Sequence, residues 1–572
     1  MTTALWDHSV DVLVIGSGNG GLTTALCCYE MDVEDVLVID KSDLMGGTSA
    51  ISGGGVWIPN NRYARAATDM DSPAAARSYL MACLPLDKVP EEMIDTYLDA
   101  GPKMIDFLHE RTQVRYVNLE HYPDYYQECE GAMPGHRSME PEPINADALG
   151  SEYRQLRRSH HMMHLGGRIP FTQVEAALLM AQLPGWIKFA VGLVTKYVLD
   201  IPWRLFGDKY ARRLTTGCAG VARLRVSMQD RNMPLWLNTS MQSLITEDGR
   251  VIGAVVERDG KEMRVRARKA VVLAAGGFEH NQDMREQYLP KPTNHLWSGG
   301  SPDNTGDAIR EGIRLGAKLA QMDGAWWCNT IMAPGEPAPR MSIMEKSYPG
   351  TIVVNPAGER FANESQNYMA YQLDTFKKHS DEYPCVPSWQ IFDAHFRATY
   401  MVGPLYNSKF RPDWALPASY EKEGFFAKGE TIAELAAKIN VDVAGLEKTI
   451  EKFNGYAATG KDLDLQRGDS LYDRYYGDPR VKPNPVLGPI KQGPFYAMKV
   501  DPGDFGTQGG MVTTVNAEVV RAEGGTIPGL YAIGNCSAAV LPTYPGPGST
   551  LGPAMTFGYQ AARHITGWSD TI

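Results

Sequence analysis

The sequence predicts an α/β fold headed by a Rossmann-like nucleotide-binding domain. Three observations carry this. An apolar run at residues 10–15 leads into a glycine-dense turn and then into a stretch of small residues. A second apolar run ends at Asp40, about 20 residues beyond that turn. The chain has 572 residues, more than one ordinary hydrophobic core organises, so at least two domains are expected.

In "VDVLVIGSGNGGLTTALCC" the strand is apolar apart from Asp11 near its start, as suits a strand covered on both faces. Gly16, Gly18 and Gly21 then supply the three glycines of G-x-G-x-x-G: one for the tight turn, one for close backbone approach to a diphosphate, one for close helix–strand packing. Ser17 and Gly20 lie in the same turn. "VEDVLVIDKSD" gives the second strand, and Asp40 at its end suits a ribose hydroxyl. The rival reading is a plain βαβ turn. Next comes "GGTSAISGGGVWIPNN", residues 46–61, a second glycine-dense loop. A nicotinamide dinucleotide has no need of it. A flavin does, because its pyrophosphate, ribityl chain and ring are all enclosed.

Composition bounds the function. Hydrophobic residues make up 43% and charged residues 22%, ordinary for a globular protein. A net charge of −11 argues against a nucleic-acid partner. Eight cysteines without C-x-x-C spacing read as reduced thiols, neither staples nor ligands, and no metal is expected. The opening "MTTALWDHSVD" lacks a basic stretch and an apolar core, so no secretory signal and a cytoplasmic location are expected.

The loop "GGTS…SGG" resembles that of the flavoprotein family of fumarate reductase and succinate dehydrogenase, where it lies along the flavin. "ARKAVVLAAGGFEHN" and "GLYAIGNCSAA" resemble the same family's segments near the adenosine half and the ribityl phosphate. The resemblance implies FAD, held by Gly46, Gly47, Thr48, Ser49, Ser52, Gly53 and Gly54, by Lys41 beside Asp40, and by Ala275 and Gly276. Asp307 joins them unless it is a simple helix cap. Gly534 and Asn535 complete the late turn, although the family has an acidic residue where Asn535 stands. A helix beginning near Ser549, with Leu551 in its first turn, would aim its N–H groups at the flavin N1–O2 edge. "KSDLMGGTSAISGGG" holds no histidine, so the flavin is expected to be non-covalent. The FAD-binding domain is expected to be discontinuous, residues 1–300 and 503–572, with an α+β catalytic domain inserted at 301–502.

The closing loop narrows the substrate. "AVLPTYPGPGSTLGPAM" carries no charge, whereas a dicarboxylate needs cations. A tyrosine hydroxyl and a backbone N–H can instead donate together to one ketone oxygen. With "YPDYYQE", "GERFANESQNYMAY" and "SGGGVWIPNN", this loop is similar to the corresponding motifs of the 3-ketosteroid Δ1-dehydrogenases, over nearly the whole chain. The resemblance implies that Tyr544 and Gly548 hold a 3-keto oxygen, that Tyr368 takes a proton from C2, that Tyr125 assists it, and that flavin accepts hydride from C1. The implied substrate is a 3-keto-4-ene steroid or sterol, and the electron acceptor, quinone-like or other, stays open. Tyr126 and Tyr371 read as packed aromatics. The rivals are desaturation between C4 and C5, a fumarate-reductase-type enzyme, and an electron-transfer subunit with no substrate of its own.

Two further stretches complete the reading. "ETIAELAAKINVDVAGLEKTIEKFNGYAATGKD" predicts two helices, with Thr431 as an N-cap. Residues 169–206, within a helical insertion at 160–215, are apolar with sparse charges and are interrupted by Pro184. Neither half suits a membrane-spanning helix. One reading is an interfacial hairpin on a membrane surface, with Trp186, Phe189, Tyr197 and Trp203 among the headgroups. The other is an internal cap or a subunit face.

Overall fold

A computed structural model describes residues 6–180 and 183–569. Residues 1–5 of the stretch read for a leader, 181–182 of the apolar segment, and 570–572 lie outside the described range. Strand β1 (His8–Ile15) is followed by helix α1 (Asn19–Glu30), strand β2 (Val36–Ile39) and the short helix α2 (Gly47–Ile51). β1 runs parallel to β2, with Leu13 opposite Leu37. The turn between β1 and α1 requires its glycines: a Cβ on Gly21 would lie 2.1 Å from the Gly16 carbonyl oxygen. Helix α3 (Thr216–Gln229) packs on α1 and α2. Strand β3 (Leu235–Trp236) then joins the outer side of β2, and β4 (Thr239–Glu247), β5 (Arg250–Arg258) and β6 (Lys261–Leu273) follow. The strand order is β3-β2-β1-β6-β5-β4.

A second sheet is built from β7 (Ala325–Ile331), β8 (Arg340–Met341), β9 (Thr351–Val354), β10 (Ser388–Asp393), β11 (Phe426–Gly429) and β12 (Phe495–Thr507). Its order is β8-β7-β12-β10-β9, with β11 also on β12. β12 belongs to this sheet to its end at Thr507, past the boundary expected at 503. Helix α4 (Tyr368–Lys378) packs on β7. The chain then returns to the first sheet through β13 (Glu518–Val520) and β14 (Thr526–Ala532), with β14 parallel to β6. Helix α5 (Leu551–Thr566) closes against α1. Thr431 caps its helix as expected, accepting from the Glu434 N–H at 3.1 Å.

The apolar segment forms helices Gln173–Met180 and Trp186–Leu199 and a wide turn at Trp203–Gly207. Trp186, Phe189, Tyr197 and Trp203, expected among the headgroups, are half-buried. Trp186 is edge-on to Phe410, Phe189 and Tyr197 pack around Leu193, and the Trp203 indole N–H donates to the Tyr210 carbonyl at 2.9 Å. Those four rings pack or bond inward, and other apolar residues are left outside: Ile187, Leu199 and Leu205 are 60%, 69% and 71% exposed, and the Phe206 ring is 84% exposed. No helix among the described residues is long and apolar enough to cross a membrane.

Candidate active site

One cavity runs between the two sheets, from the β1–α1 turn to a chamber of aromatic side chains. At its first end the Asp40 carboxylate accepts from the Ser17 N–H (2.9 Å), the Ser17 hydroxyl (2.5 Å) and the Ser42 N–H (3.0 Å). Burial raises its pKa, and these three donors oppose the rise. Lys41 Nζ meets Asp307 Oδ2 at 2.7 Å. Asp307 is the first residue of its helix and makes no side-chain cap bond, so its carboxylate serves this ion pair and a second one with Arg310. Thr48 Oγ1 accepts from Ser301 N–H (2.8 Å) and Asn304 Nδ2 (3.1 Å), tying the loop after β2 to the far wall. Ser49 Oγ accepts from the Asn19 N–H, and Ser52 Oγ from the Gly54 N–H, each at 3.1 Å.

These residues fit a flavin adenine dinucleotide. Gly16, Gly18, Gly20, Gly21, Gly47, Gly53, Gly54, Gly276 and Gly534 all line the cavity, so backbone rather than side chain forms much of its wall. Gly47 has φ +49° with open space where a Cβ would project. Ala275, Asn535 and Leu551 also line the cavity. Asn535 Oδ1 accepts from the Trp326 indole N–H at 3.0 Å, a bond that a neutral amide makes as well as a carboxylate would. Gly46 is not among the lining residues. It adopts φ +109°, packs against Ala50 and Val221, and donates to Ser17 Oγ at 2.9 Å.

At the other end the cavity gathers Tyr125, Tyr368, Tyr544 and Gly548. The three ring centroids lie 5.5–5.7 Å apart pairwise. The Tyr125 hydroxyl donates to the Tyr368 hydroxyl at 3.1 Å. The Gly548 N–H donates to the Tyr544 hydroxyl oxygen at 3.4 Å, which sets the two groups side by side at the chamber wall. Tyr544 holds φ +62°, a backbone state that costs a non-glycine residue on the order of 1 kcal/mol or more. Its loop over-determines that state. The Tyr125 N–H (2.9 Å) and Tyr79 hydroxyl (2.6 Å) donate to the Pro545 carbonyl, Tyr126 to Thr543 (2.6 Å), Ser138 to Pro547 (2.9 Å) and Gln508 to Pro542 (2.7 Å). Tyr126 and Tyr371 do not line the cavity.

Burial pushes the Tyr125 and Tyr368 hydroxyls well above the usual phenol range, and neighbouring tyrosines add to the rise. The hydrogen bond from Tyr125 works the other way on Tyr368. Tyr544 is also raised by burial, opposed by its contacts with Tyr368, Gly548 and Thr550. All three are therefore neutral at rest.

Sequence reasoning missed much of the chamber: Tyr122, Tyr475, Tyr476, Trp326, Phe505 and the methionines at 162, 163, 341 and 344. The doublet in "LYDRYYG" repeats the pattern of "YPDYYQE" and was the available signal. Among the described lining residues the only Lys or Arg side chains are Lys41 and Arg157, and both are engaged at the nucleotide end, Arg157 with Asp303 and Ser42.

A model of the FAD binding domain family matches residues 11–551. A 3-oxosteroid 1-dehydrogenase of Mycolicibacterium smegmatis is 40% identical over 566 residues, covering 97% of each chain. A 4-oxocyclohexanecarboxylate 2-dehydrogenase of Sinomonas cyclohexanicum is 36% identical, over 97% of this chain and 93% of its own. Among solved structures, the 3-ketosteroid Δ1-dehydrogenase of Sterolibacterium denitrificans, in complex with 1,4-androstadiene-3,17-dione, superposes with a TM-score of 0.93. It is 44% identical, over 98% of this chain and 100% of its own.

Proposed function

The chain belongs to the FAD binding domain family, and from that premise we propose that it introduces the C1–C2 double bond into ring A of 3-keto-4-ene steroids, sterols included. The observation that carries this reading is the convergence of Tyr125, Tyr368, Tyr544 and Gly548 on one apolar chamber that opens to the glycine-lined cradle. Steroid-oxidising relatives of the same length support it.

The Tyr544 hydroxyl and the Gly548 N–H together hold the 3-keto oxygen. Two donors on that oxygen stabilise the charge it gains as the C2–H bond weakens. Tyr368 first gives up its own hydroxyl proton to water, and the phenolate oxygen then takes the C2 proton. Its phenolate is costly to form in this chamber, and a base that costly is strong once formed. The hydrogen bond from Tyr125 offsets part of the cost. FAD, when bound, supplies the acceptor for the hydride leaving C1. Trp326, Phe505 and the surrounding tyrosines exclude water from the exchange. At the nucleotide end, Asp40 Oδ1 retains lone-pair capacity for a ribose hydroxyl, and Leu551 and Ala554 in the first turn of α5 line the cavity where the flavin would lie.

A dicarboxylate substrate is disfavoured, because the chamber offers no free cation among its described residues. In the test, the FAD-loaded enzyme is mixed anaerobically with a 3-keto-4-ene steroid, and the flavin absorbance is followed. The yellow colour should bleach with steroid and persist with succinate. Persistence with steroid contradicts the reading.

Peripheral attachment to the inner face of the cytoplasmic membrane belongs to the same proposal. The exposed aliphatic ridge supports it, since each large apolar side chain buried in lipid contributes roughly 1.5–3 kcal/mol. The adjoining helix also places Gln173 and Ala176 in the cavity wall, so ridge and chamber share an element.

A further inference from the structure

Lys346 is 2% exposed, and it does not line the cavity. Its Nζ donates to the carbonyl of Glu364 at 2.8 Å and to that of Gln366 at 2.7 Å. The Tyr371 ring lies 5.3 Å from the same nitrogen. Burial draws its pKa from 10.5 to about 8. A lysine held so far from water is costly unless every donor is matched. Here the partners are chiefly backbone carbonyls, and they belong to the turn immediately before Tyr368.

The turn is gripped from its other sides as well. Arg467, fully buried, donates to Ser365 Oγ at 3.0 Å and reaches the Glu364 carboxylate at 3.3 Å. Arg360 holds the two Glu364 oxygens at 2.8 and 2.6 Å. Asn367 then caps α4, its Oδ1 accepting from the Ala370 N–H at 2.9 Å, and Tyr368 is the first residue of the helix. On the near side, Ile343, Met344 and Glu345 line the chamber directly before Lys346.

We infer that Lys346 is a positioning residue for Tyr368: its ammonium fixes the turn at 364–367 and so the placement of the tyrosine hydroxyl against C2 of the substrate. The strip 343–346 thereby touches substrate on one face and anchors the proton acceptor on the other. A displacement of about 1 Å in such a group costs on the order of 10²-fold in rate. The inference rests on the proposed C1–C2 desaturation.

The test uses FAD-loaded Lys346→Met and Lys346→Gln with substrate deuterated at C2 or at C1. In Lys346→Met, KM and the flavin spectrum should stay within about twofold of wild type while kcat falls at least about tenfold. The C2 isotope effect should rise and the C1 effect shrink, because proton removal alone is slowed. Lys346→Gln, which keeps N–H donors without the charge, should fall between. Unchanged kcat, or a loss of kcat with the balance of isotope effects unaltered, overturns the inference. If Lys346→Met fails to hold FAD, the glutamine variant decides by the same measures. If neither holds FAD, Lys346 is a folding group and the inference fails. A wild-type enzyme whose flavin no steroid reduces overturns the desaturase reading itself. Wild-type turnover beside unaltered variants overturns the inference alone.

Discussion

Tyr368 and Tyr544 differ in what they give up as phenylalanine. Tyr368→Phe removes the proton acceptor and leaves the ring packing, so kcat should drop roughly 10²–10⁴-fold while steroid affinity holds. Tyr544→Phe removes a donor that serves bound ketone and developing enolate alike, so affinity and kcat should both fall. Steady-state kinetics with equilibrium steroid titration separates the two, and near-normal turnover in Tyr368→Phe removes it as the base. These residues were legible because each sits in a local string that survives without knowledge of the fold. Tyr122, Tyr475 and Tyr476 were not, since their place in the chamber depends on how distant segments meet. The short Tyr122–Tyr476 hydroxyl contact joins residues 354 positions apart.

At the scale of elements, β1, the glycine turn, α1 and β2 could be read from sequence because periodicity and turn chemistry are local. The second sheet could not. Its central strand β12 contains Pro502, Gly503 and Gly506, which read as loop, yet Pro502 pairs with Asn329 in the ladder. The apolar segment was legible as a surface element, but its outward residues were not, because packing decides which side chains turn in. Replacing Leu199, Leu205 and Phe206 together with serine should move the enzyme from liposome pellet to supernatant with the FAD spectrum intact. Sedimentation equal to wild type would assign the ridge to a protein contact. Where this segment's first helix begins, Glu140, 3% exposed, accepts from the Gln173 N–H at 2.8 Å. Burial lifts its pKa from 4.5 to about 7. The unfolded chain loses this proton first, so the contribution to stability is full below about pH 4.5 and is lost as pH rises through about 7. Glu140→Gln should therefore gain in Tm relative to wild type between pH 5 and pH 8, and a constant difference across that range would contradict the shift.

For the whole molecule, the cavity is the seam between two sheets, and FAD binding is folding free energy for both of its walls. Saturating FAD at about 1,000 times its Kd stabilises by roughly 4 kcal/mol, so stripping the flavin should lower Tm markedly and re-addition should restore it. The described cavity lining contains no histidine or cysteine to attach the flavin. Acid precipitation should leave the colour in the supernatant; yellow protein in the pellet would show a covalent link. The proposed reaction makes one bond, and product analysis reads it directly. Wild-type enzyme is incubated with a 3-keto-4-ene steroid and an artificial acceptor, and the product is analysed by mass spectrometry and NMR. The product should be a steroid lighter by one pair of hydrogens, with the new double bond between C1 and C2. Unchanged steroid beside an intact flavin spectrum, or a double bond placed elsewhere, would contradict it.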